Sequence, residues 1–488
     1  MLNKKMTLIF GLASMTLMTA CGGRSNDSSK PNPDNSKDSA TSATTPVTPD
    51  TDEEFDPKKP VEITFWHTMG KTTGQPILDQ IITAFNKIYP HIKVTNTQQG
   101  DYDKLNEIIN NNISTGNLPT MAYAYEDHVA GYVDHNASLD MTSYINDPVY
   151  GLGHNPKGYD LGDLGVEDMS AGYWKAGSKY AVEGMYSLPF SKSTEVLFYN
   201  KTFFEKNNLK VPTTWDEMEE TCKKILAIDP KCIPLGYDSE ANWFITMTEQ
   251  LNTPYTSATG DHFLFNTPEN QAFVKRFAEW HKKGYVTTEE IYGSYTSGLF
   301  TNLKEGEARS YMCIGSSAGA SYQRPTKGTD GKYPFDVGIT TIPQADKNNQ
   351  KVISQGPSLC IFNGTEQEVL ASWLFVKYLT TTVEFQAEFS MASGYVPVIE
   401  SVSEHPVYSQ FIASANGGDN ITALSAKVCL EQKDAYYVSP AFNGSSEARD
   451  QVGQLLQYCM VQYKTAKDVD AMINKAFADA VAECEYMS

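Results

Sequence analysis

Val61-Glu62-Ile63-Thr64-Phe65-Trp66 decides how the rest of the chain is read. It alternates in polarity and is rich in β-branched and aromatic residues, which is the pattern of a strand. Downstream, Ile77, Leu78, Ile81, Ile82, Phe85 and Ile88 recur at helical spacing over 77–89, and Pro90 stops the helix. Ile92-Lys93-Val94 reads as the next strand. A second helix follows over 102–115, with Leu105, Ile108, Ile109 and Asn112 on one face. Gly116-Asn117-Leu118-Pro119 then turns the chain into a third strand at 121–125. A β-α-β-α-β alternation of this kind predicts a mostly parallel sheet with helices on both faces.

A second α/β series begins at Ser187-Leu188-Pro189-Phe190. It continues with a strand at 195–199 and a short helix at 201–207. Thr214 and Glu217 stand at capping-box spacing before a helix that runs to Ala227. Strands are expected at 233–236, 310–314 and 336–340, and helices at 270–283, 295–305, 373–380, 384–390 and 469–484. No low-complexity linker separates the two series, so the expected architecture is α/β, with two lobes meeting at a cleft.

Working outward towards the N-terminus, residues 22–58 are mostly Ser, Thr, Pro, Asn, Asp and Lys. Such a segment cannot bury enough apolar surface to offset its ordering entropy and is expected to be a disordered tether. Its 37 residues give an r.m.s. reach of about 35 Å. Before it stand Lys4 and Lys5, an apolar run over 6–17, and Leu17-Met18-Thr19-Ala20-Cys21. This is a secretory signal, and its end resembles the lipobox of bacterial lipoproteins. Residues 1–20 are read as a lipoprotein signal peptide and Cys21 as the lipid attachment site. The protein is therefore expected on the extracytoplasmic face of the cell membrane, touching lipid only through that anchor.

The 488 residues carry 39 basic and 59 acidic side chains, a formal charge of −20, and loss of Lys4 and Lys5 with the signal would leave −22. That balance argues against a nucleic-acid partner, which selects a basic face. Beyond residues 6–17 no apolar run approaches the roughly 20 residues of a membrane span. Eight cysteines occur without a C-x-x-C pair, a scatter unlike a zinc site. Cys21 set aside, seven remain, Cys222, Cys232, Cys313, Cys360, Cys429, Cys459 and Cys484. At least one of these is free or pairs between chains, while Cys222 and Cys232 are as compatible with a bridge as with two thiols.

Catalytic signatures are sparse. There is no H-E-x-x-H and no G-x-G-x-x-G, and Gly70-Lys71-Thr72 lacks the first glycine of a Walker loop. Gly315-Ser316-Ser317-Ala318-Gly319 matches G-x-S-x-G after a predicted strand, but Pro325 leaves little room for the helix that a nucleophile elbow needs. A backbone-lined turn is the expected reading. The chain is expected not to be an enzyme and to carry no cofactor and no metal. Aromatic and small polar residues gather instead at predicted strand ends, among them Tyr125, Ser191 and the residues named below. In open α/β sheets ligands bind beyond those ends.

At these residues the chain resembles the extracellular solute-binding proteins of ABC importers (family 1), in the branch that handles sugars. Thr64-Phe65-Trp66-His67, Thr115-Gly116-Asn117-Leu118-Pro119, Leu197-Phe198-Tyr199-Asn200-Lys201 and Val211-Pro212-Thr213-Thr214-Trp215-Asp216-Glu217 carry the likeness. Gly306-Glu307-Ala308 and Ser393-Gly394-Tyr395-Val396-Pro397 complete it. Gly100-Asp101-Tyr102, Tyr125-Glu126, Ser191-Lys192-Ser193-Thr194 and Gly315-Ser316-Ser317 resemble in particular the members that bind glycerol phosphate. By that resemblance Tyr102, Glu126, Ser193 and Trp243 line the cleft, together with Ser316 or Ser317, Gly356 and Tyr395. Glu126 would accept from vicinal hydroxyls and Trp243 would supply an apolar wall.

One departure bears on the ligand. Those members hold the phosphate with a late arginine, and an ungapped count from Gly394-Tyr395 puts Val438 at that position. A valine offers no bidentate charged fork. Lys192, Lys433 and Arg449 are the candidate replacements, and nothing in the sequence selects one. An uncharged mono- or oligosaccharide is therefore expected, with glycerol phosphate or a glycerophosphodiester as the alternative, and a non-transport sensor or adhesin as a further one.

The resemblance implies a two-lobed periplasmic-binding-protein-like fold (type II). Residues 59–192 plus 355–395 would form one lobe and 193–354 plus 396–488 the other, with a disordered linker over 21–58. It further implies a monomer that delivers its ligand to ABC permease subunits.

Overall fold

The structure is a computed structural model that describes residues 59–71, 74–155, 164–304 and 306–487. The signal peptide, Cys21 and the tether over 22–58 lie outside the described residues. The described residues fall in a single compact unit.

The opening stretch forms the strand Val61–His67, and each later element of the first series follows in order. The helix Gly74–Ile88 buries Leu78, Ile81, Ile82 and Phe85, the face that its spacing required. Phe85 meets Phe375 edge-on at 4.9 Å between centroids, so this helix is fixed against one from the far end of the sequence. Asp101 caps the helix Tyr102–Ile113 by accepting from the Lys104 amide at 2.8 Å, which places Tyr102 on its first turn.

Two sheets result. The first runs in the order Ile92–Gln98, Val61–His67, Met121–Ala124, Ser358–Ile361, Leu188–Pro189. Its first three strands are parallel and the last two join antiparallel. The second runs Tyr436–Tyr437, Val352–Gln355, Ser193–Asn200, Met312–Ser316, Leu235–Tyr237, Val286–Thr288, with Val337–Thr340 also paired to Ser193–Asn200. It mixes both senses. The expectation of mostly parallel sheets holds, with one strand reversed in each: Ser358–Ile361 in the first sheet and Ser193–Asn200 in the second. The antiparallel members are those by which the chain returns from one sheet to the other, and a return needs no crossover helix.

The passages between sheets are short. The chain leaves the first sheet after Leu188–Pro189 and enters the second at Ser193. It comes back between Val352–Gln355 and Ser358–Ile361 through Gly356. Gly356 has φ +102°, and a Cβ there would stand 2.1 Å from the Ser191 carbonyl oxygen. Only glycine lets the two passages touch. A third segment runs alongside, where the Val396 amide donates to the Lys192 carbonyl at 2.7 Å.

Several boundaries differ from the sequence expectation. Residues 295–305 hold one helical turn, Ser297–Phe300, because Asp238 takes the Thr296 amide and hydroxyl and fixes the chain there. Thr214 caps the helix Trp215–Ile228 as expected, but the returning Glu217 carboxylate binds the amide and hydroxyl of Thr213, not the Thr214 amide.

Candidate functional site

Between the carboxyl ends of strands from both sheets lies a cavity of about 800 Å³. One wall comes from the first sheet and its helices. Tyr125 follows the strand Met121–Ala124, Tyr102 opens the next-door helix, and Tyr395 follows the left-handed Gly394. The Tyr102 and Tyr125 rings lie 4.7 Å apart, and the Tyr102 and Tyr395 hydroxyls share a hydrogen bond of 3.1 Å. Packing behind Tyr395 is a parallel Phe389 ring at 6.0 Å.

The opposite wall is acidic. Glu195, Asp238 and Glu289 reach it from the second sheet and its loops, beside Ser193, Ser316 and Tyr322. Burial pushes the Glu195 carboxyl up to about 7, against hydrogen bonds from Tyr237 and Asn242 and the Arg449 charge, which hold it down. Burial likewise raises Glu289 to about 7, with Asp238, Glu290 and Glu240 adding repulsion. Asp238 is raised by burial too, despite its bonds to Thr296. Glu195 and Glu289 can therefore offer either a donor or an acceptor near neutral pH.

Among the described residues a single cation lines the cavity, Arg449 of the helix Ser445–Gln462. Its guanidinium donates to Asn242 Oδ1, and Asn242 Nδ2 donates to Gln355 Oε1 at 2.6 Å, tying the cation to the passage between sheets. A smaller chamber of about 80 Å³ shares Tyr125, Gln355 and Arg449 and is also lined by Glu126 and Val438.

Of the residues expected at the cleft, Tyr102, Ser193, Ser316, Gly356 and Tyr395 are brought together at this cavity. Three are not. Glu126 lines the smaller chamber, and its Oε1 accepts from Lys192 Nζ at 2.7 Å and Ser358 Oγ at 2.6 Å, so that oxygen is engaged within the chain. Trp243 is fully buried, stacked between Tyr237 at 4.6 Å and Phe277 at 4.0 Å. It stands one layer behind the wall: Tyr237, which it stacks on, donates to Glu195 at 2.5 Å. Ser317 is also fully buried, and its Oγ accepts from the Thr194 amide at 3.2 Å. The G-x-S-x-G segment is thus a strand end passing into a 3₁₀ helix, Ser317–Gln323, capped by Ser316. Ser317, the serine at the nucleophile position of the motif, does not line the cavity.

Among the candidate cations the structure selects Arg449. Lys192 is buried against Glu126, and Lys433 pairs at 3.0 Å with Glu400 on the surface. Glu195, Asp238 and Glu289 are among the cavity residues that sequence reading did not assign. Glu195 had the clearest signal, a carboxylate in a strand directly after a passage between lobes.

Among the described residues no group of histidine, cysteine and carboxylate side chains is placed to hold a metal ion. Nor is any helix there long and apolar enough to cross a membrane.

Comparison with known proteins agrees with the architecture. The family model for bacterial extracellular solute-binding proteins matches residues 80–415. The sn-glycerol-3-phosphate-binding periplasmic protein UgpB of Escherichia coli strain K12 is 26% identical over 387 residues, 74% of this chain and 79% of its own. UgpB of Mycobacterium tuberculosis, solved in complex with glycerophosphocholine, superposes with a TM-score of 0.66 at 16% identity, over 88% of this chain and 98% of that one. The cyclic α-maltosyl-1,6-maltose binding protein of Arthrobacter globiformis gives 0.64 at 18%, over 86% and 99%. The chain belongs to the bacterial extracellular solute-binding proteins and is the solute-binding component of an ABC importer.

Proposed function

We propose that this protein captures an uncharged carbohydrate, a mono- or oligosaccharide, in the cavity between the two sheets and passes it unchanged to the permease. The observation that carries this reading is the composition of the walls. Three carboxylates and five tyrosines face one guanidinium, which Asn242 already holds. A phosphate monoester would bring a dianion against Glu195, Asp238 and Glu289, and each of these carboxyls would either repel it or have to take up a proton. A neutral polyol meets no such repulsion and matches the many hydroxyl and carboxyl partners. Tyr102, Ser193, Ser316, Gly356 and Tyr395 would hold the ligand together with Glu195, Asp238, Glu289 and Arg449.

A second reading has its own observation. Arg449 reaches the cavity and has the planar fork that suits a phosphate. A glycerophosphodiester with a cationic head group would place its phosphate at Arg449 and its cation among the carboxylates. The glycerophosphocholine bound to UgpB of Mycobacterium tuberculosis is of this kind, whereas the sn-glycerol 3-phosphate of the Escherichia coli protein is a monoester without a cation.

In the mechanism we infer, residues 59–192 plus 355–395 and residues 193–354 plus 396–488 move as two lobes about the passages at Lys192, Gly356 and Val396. Contacts to both walls favour the closed form, and differential affinity for that form sets the extent of closure. Cys21, carrying two acyl chains, would anchor a monomer to the extracytoplasmic face of the membrane and hold it near the permease.

A thermal-shift screen over sugars, glycerol phosphate and glycerophosphodiesters tests the ligand class, because a ligand that binds only the folded state raises its melting temperature. Shifts with sugars and none with phosphates are expected. Shifts with phosphates alone overturn the first reading in favour of the second.

A further inference from the structure

The cavity has two kinds of aromatic residue. Tyr102, Tyr125 and Tyr395 form an inner group packed against one another or against the core. Tyr295 and Tyr322 also line the cavity, yet they are 65% and 75% exposed. Among the described residues neither ring stacks on another aromatic side chain, and neither hydroxyl has a hydrogen-bond partner. A single exposed tyrosine is ordinary on a protein surface. Two from separate elements converging on one cavity are not scattered in that way.

Both are mounted on pinned backbone. Tyr295 precedes Thr296, whose amide and hydroxyl are held by Asp238 at 2.7 and 2.6 Å. Tyr322 sits on the 3₁₀ helix Ser317–Gln323, fixed at one end by Ser316 and at the other by Gln323, whose amide donates to Cys313 at 3.1 Å. Just beyond it the Arg324 guanidinium donates to the carbonyls of Gly418 and Asp419. An exposed ring on a rigid mount loses little conformational entropy when something stacks on it, since only two side-chain torsions remain. Tyrosine also brings a hydroxyl that can join the hydrogen bonds of a polyol.

We propose that Tyr295 and Tyr322 form an outer carbohydrate subsite, so that the ligand is an oligosaccharide of at least two rings. One ring lodges against Tyr102 and Tyr395, and the next is held at the rim by Tyr295 and Tyr322. This rests on the carbohydrate reading above and narrows it from sugars in general to chains of linked rings.

Calorimetric titration of the full chain with glucose, the malto- and cello-oligosaccharides up to four rings, and a wider array of mono- to tetrasaccharides tests it. Affinity is expected to rise at least tenfold from one ring to two. Tyr295→Ala and Tyr322→Ala should each weaken binding of the longer ligands by about tenfold, leave a monosaccharide within about twofold, and be rescued by Phe at the same position. Both positions are exposed, so an unchanged melting temperature in the free variants separates loss of binding from loss of fold. If sugars bind without dependence on length, or the alanine variants keep it, the outer subsite is wrong and the carbohydrate reading stands. If no carbohydrate in the array binds, reading and subsite fall together.

Discussion

Glu126 and Glu195 are two carboxylates on opposite sides of the passages between the sheets, and the chain treats them differently. Glu126 meets Lys192 at 2.7 Å and Ser358 at 2.6 Å, and the same lysine donates to the Gly356 carbonyl at 2.7 Å. Glu195 has the Tyr237 hydroxyl at 2.5 Å and, among the described residues, no ammonium or guanidinium bonded to it, while Arg449 donates to Asn242. A buried charge neutralised by its own chain belongs to the scaffold. One left uncompensated at a cavity wall has its protonation set by burial and stays available to a ligand. The difference explains why Glu126, which resemblance placed at the ligand, serves the passages between sheets, while Glu195 takes the place at the larger cavity.

The contrast can be broken most directly at Lys192. Lys192→Met leaves Glu126 without its counter-charge, and chemical denaturation near neutral pH is expected to show a loss of about 3–5 kcal/mol. A loss below about 1 kcal/mol would mean that the pair does not hold the passages. Glu195→Gln should have the opposite sign. The Glu195 carboxyl is raised to about 7 from 4.5, so above pH 4.5 the unfolded chain releases a proton that the folded chain retains, and folding is penalised until about pH 7. The variant should gain on the order of 3 kcal/mol at pH 8 and nothing at pH 4. Equal stability at both pH values would show Glu195 to be compensated as Glu126 is.

A smaller loss is expected on the Glu126 side from Ser358→Ala, which removes one hydrogen bond to a carboxylate. About 2 kcal/mol is the expected cost in the same denaturation experiment. Least of all, Arg449→Gln should move the Glu195 transition in the stability–pH curve upward, since the guanidinium lowers that carboxyl's pKa without bonding to it. A downward movement would mean that Arg449 does not act on Glu195 through its charge.

Legibility of the chain followed the directness of the physical signal. The helix Gly74–Ile88 was visible because its buried residues recur on one face. The helix Glu240–Leu251 was not, because it is buried nearly all round, with Glu240, Asn242, Thr246 and Gln250 inside together with Trp243 and Phe244. A helix without an exposed face shows no amphipathic period. Trp243 was consequently read as a free-standing aromatic at the cleft, when it is the middle of a three-ring stack. The helix Ser445–Gln462 went unread as well, and with it the reason why Arg449 reaches the cavity.

The sequence by itself determined the β-α-β opening and the second α/β series, because strand ends and capped helix starts are local features, while the likeness to a known family supplied five of the residues that meet at the cavity. It also carried the reading of an exported, tethered chain through the pattern before Cys21. Only the tertiary structure decided which charge is paired with which. Lys192 and Glu126 are 66 positions apart, and Arg449 and Asn242 are 207 apart. Whether a carboxylate is neutralised or left facing a cavity depends on partners brought close by folding, and no local spacing encodes that.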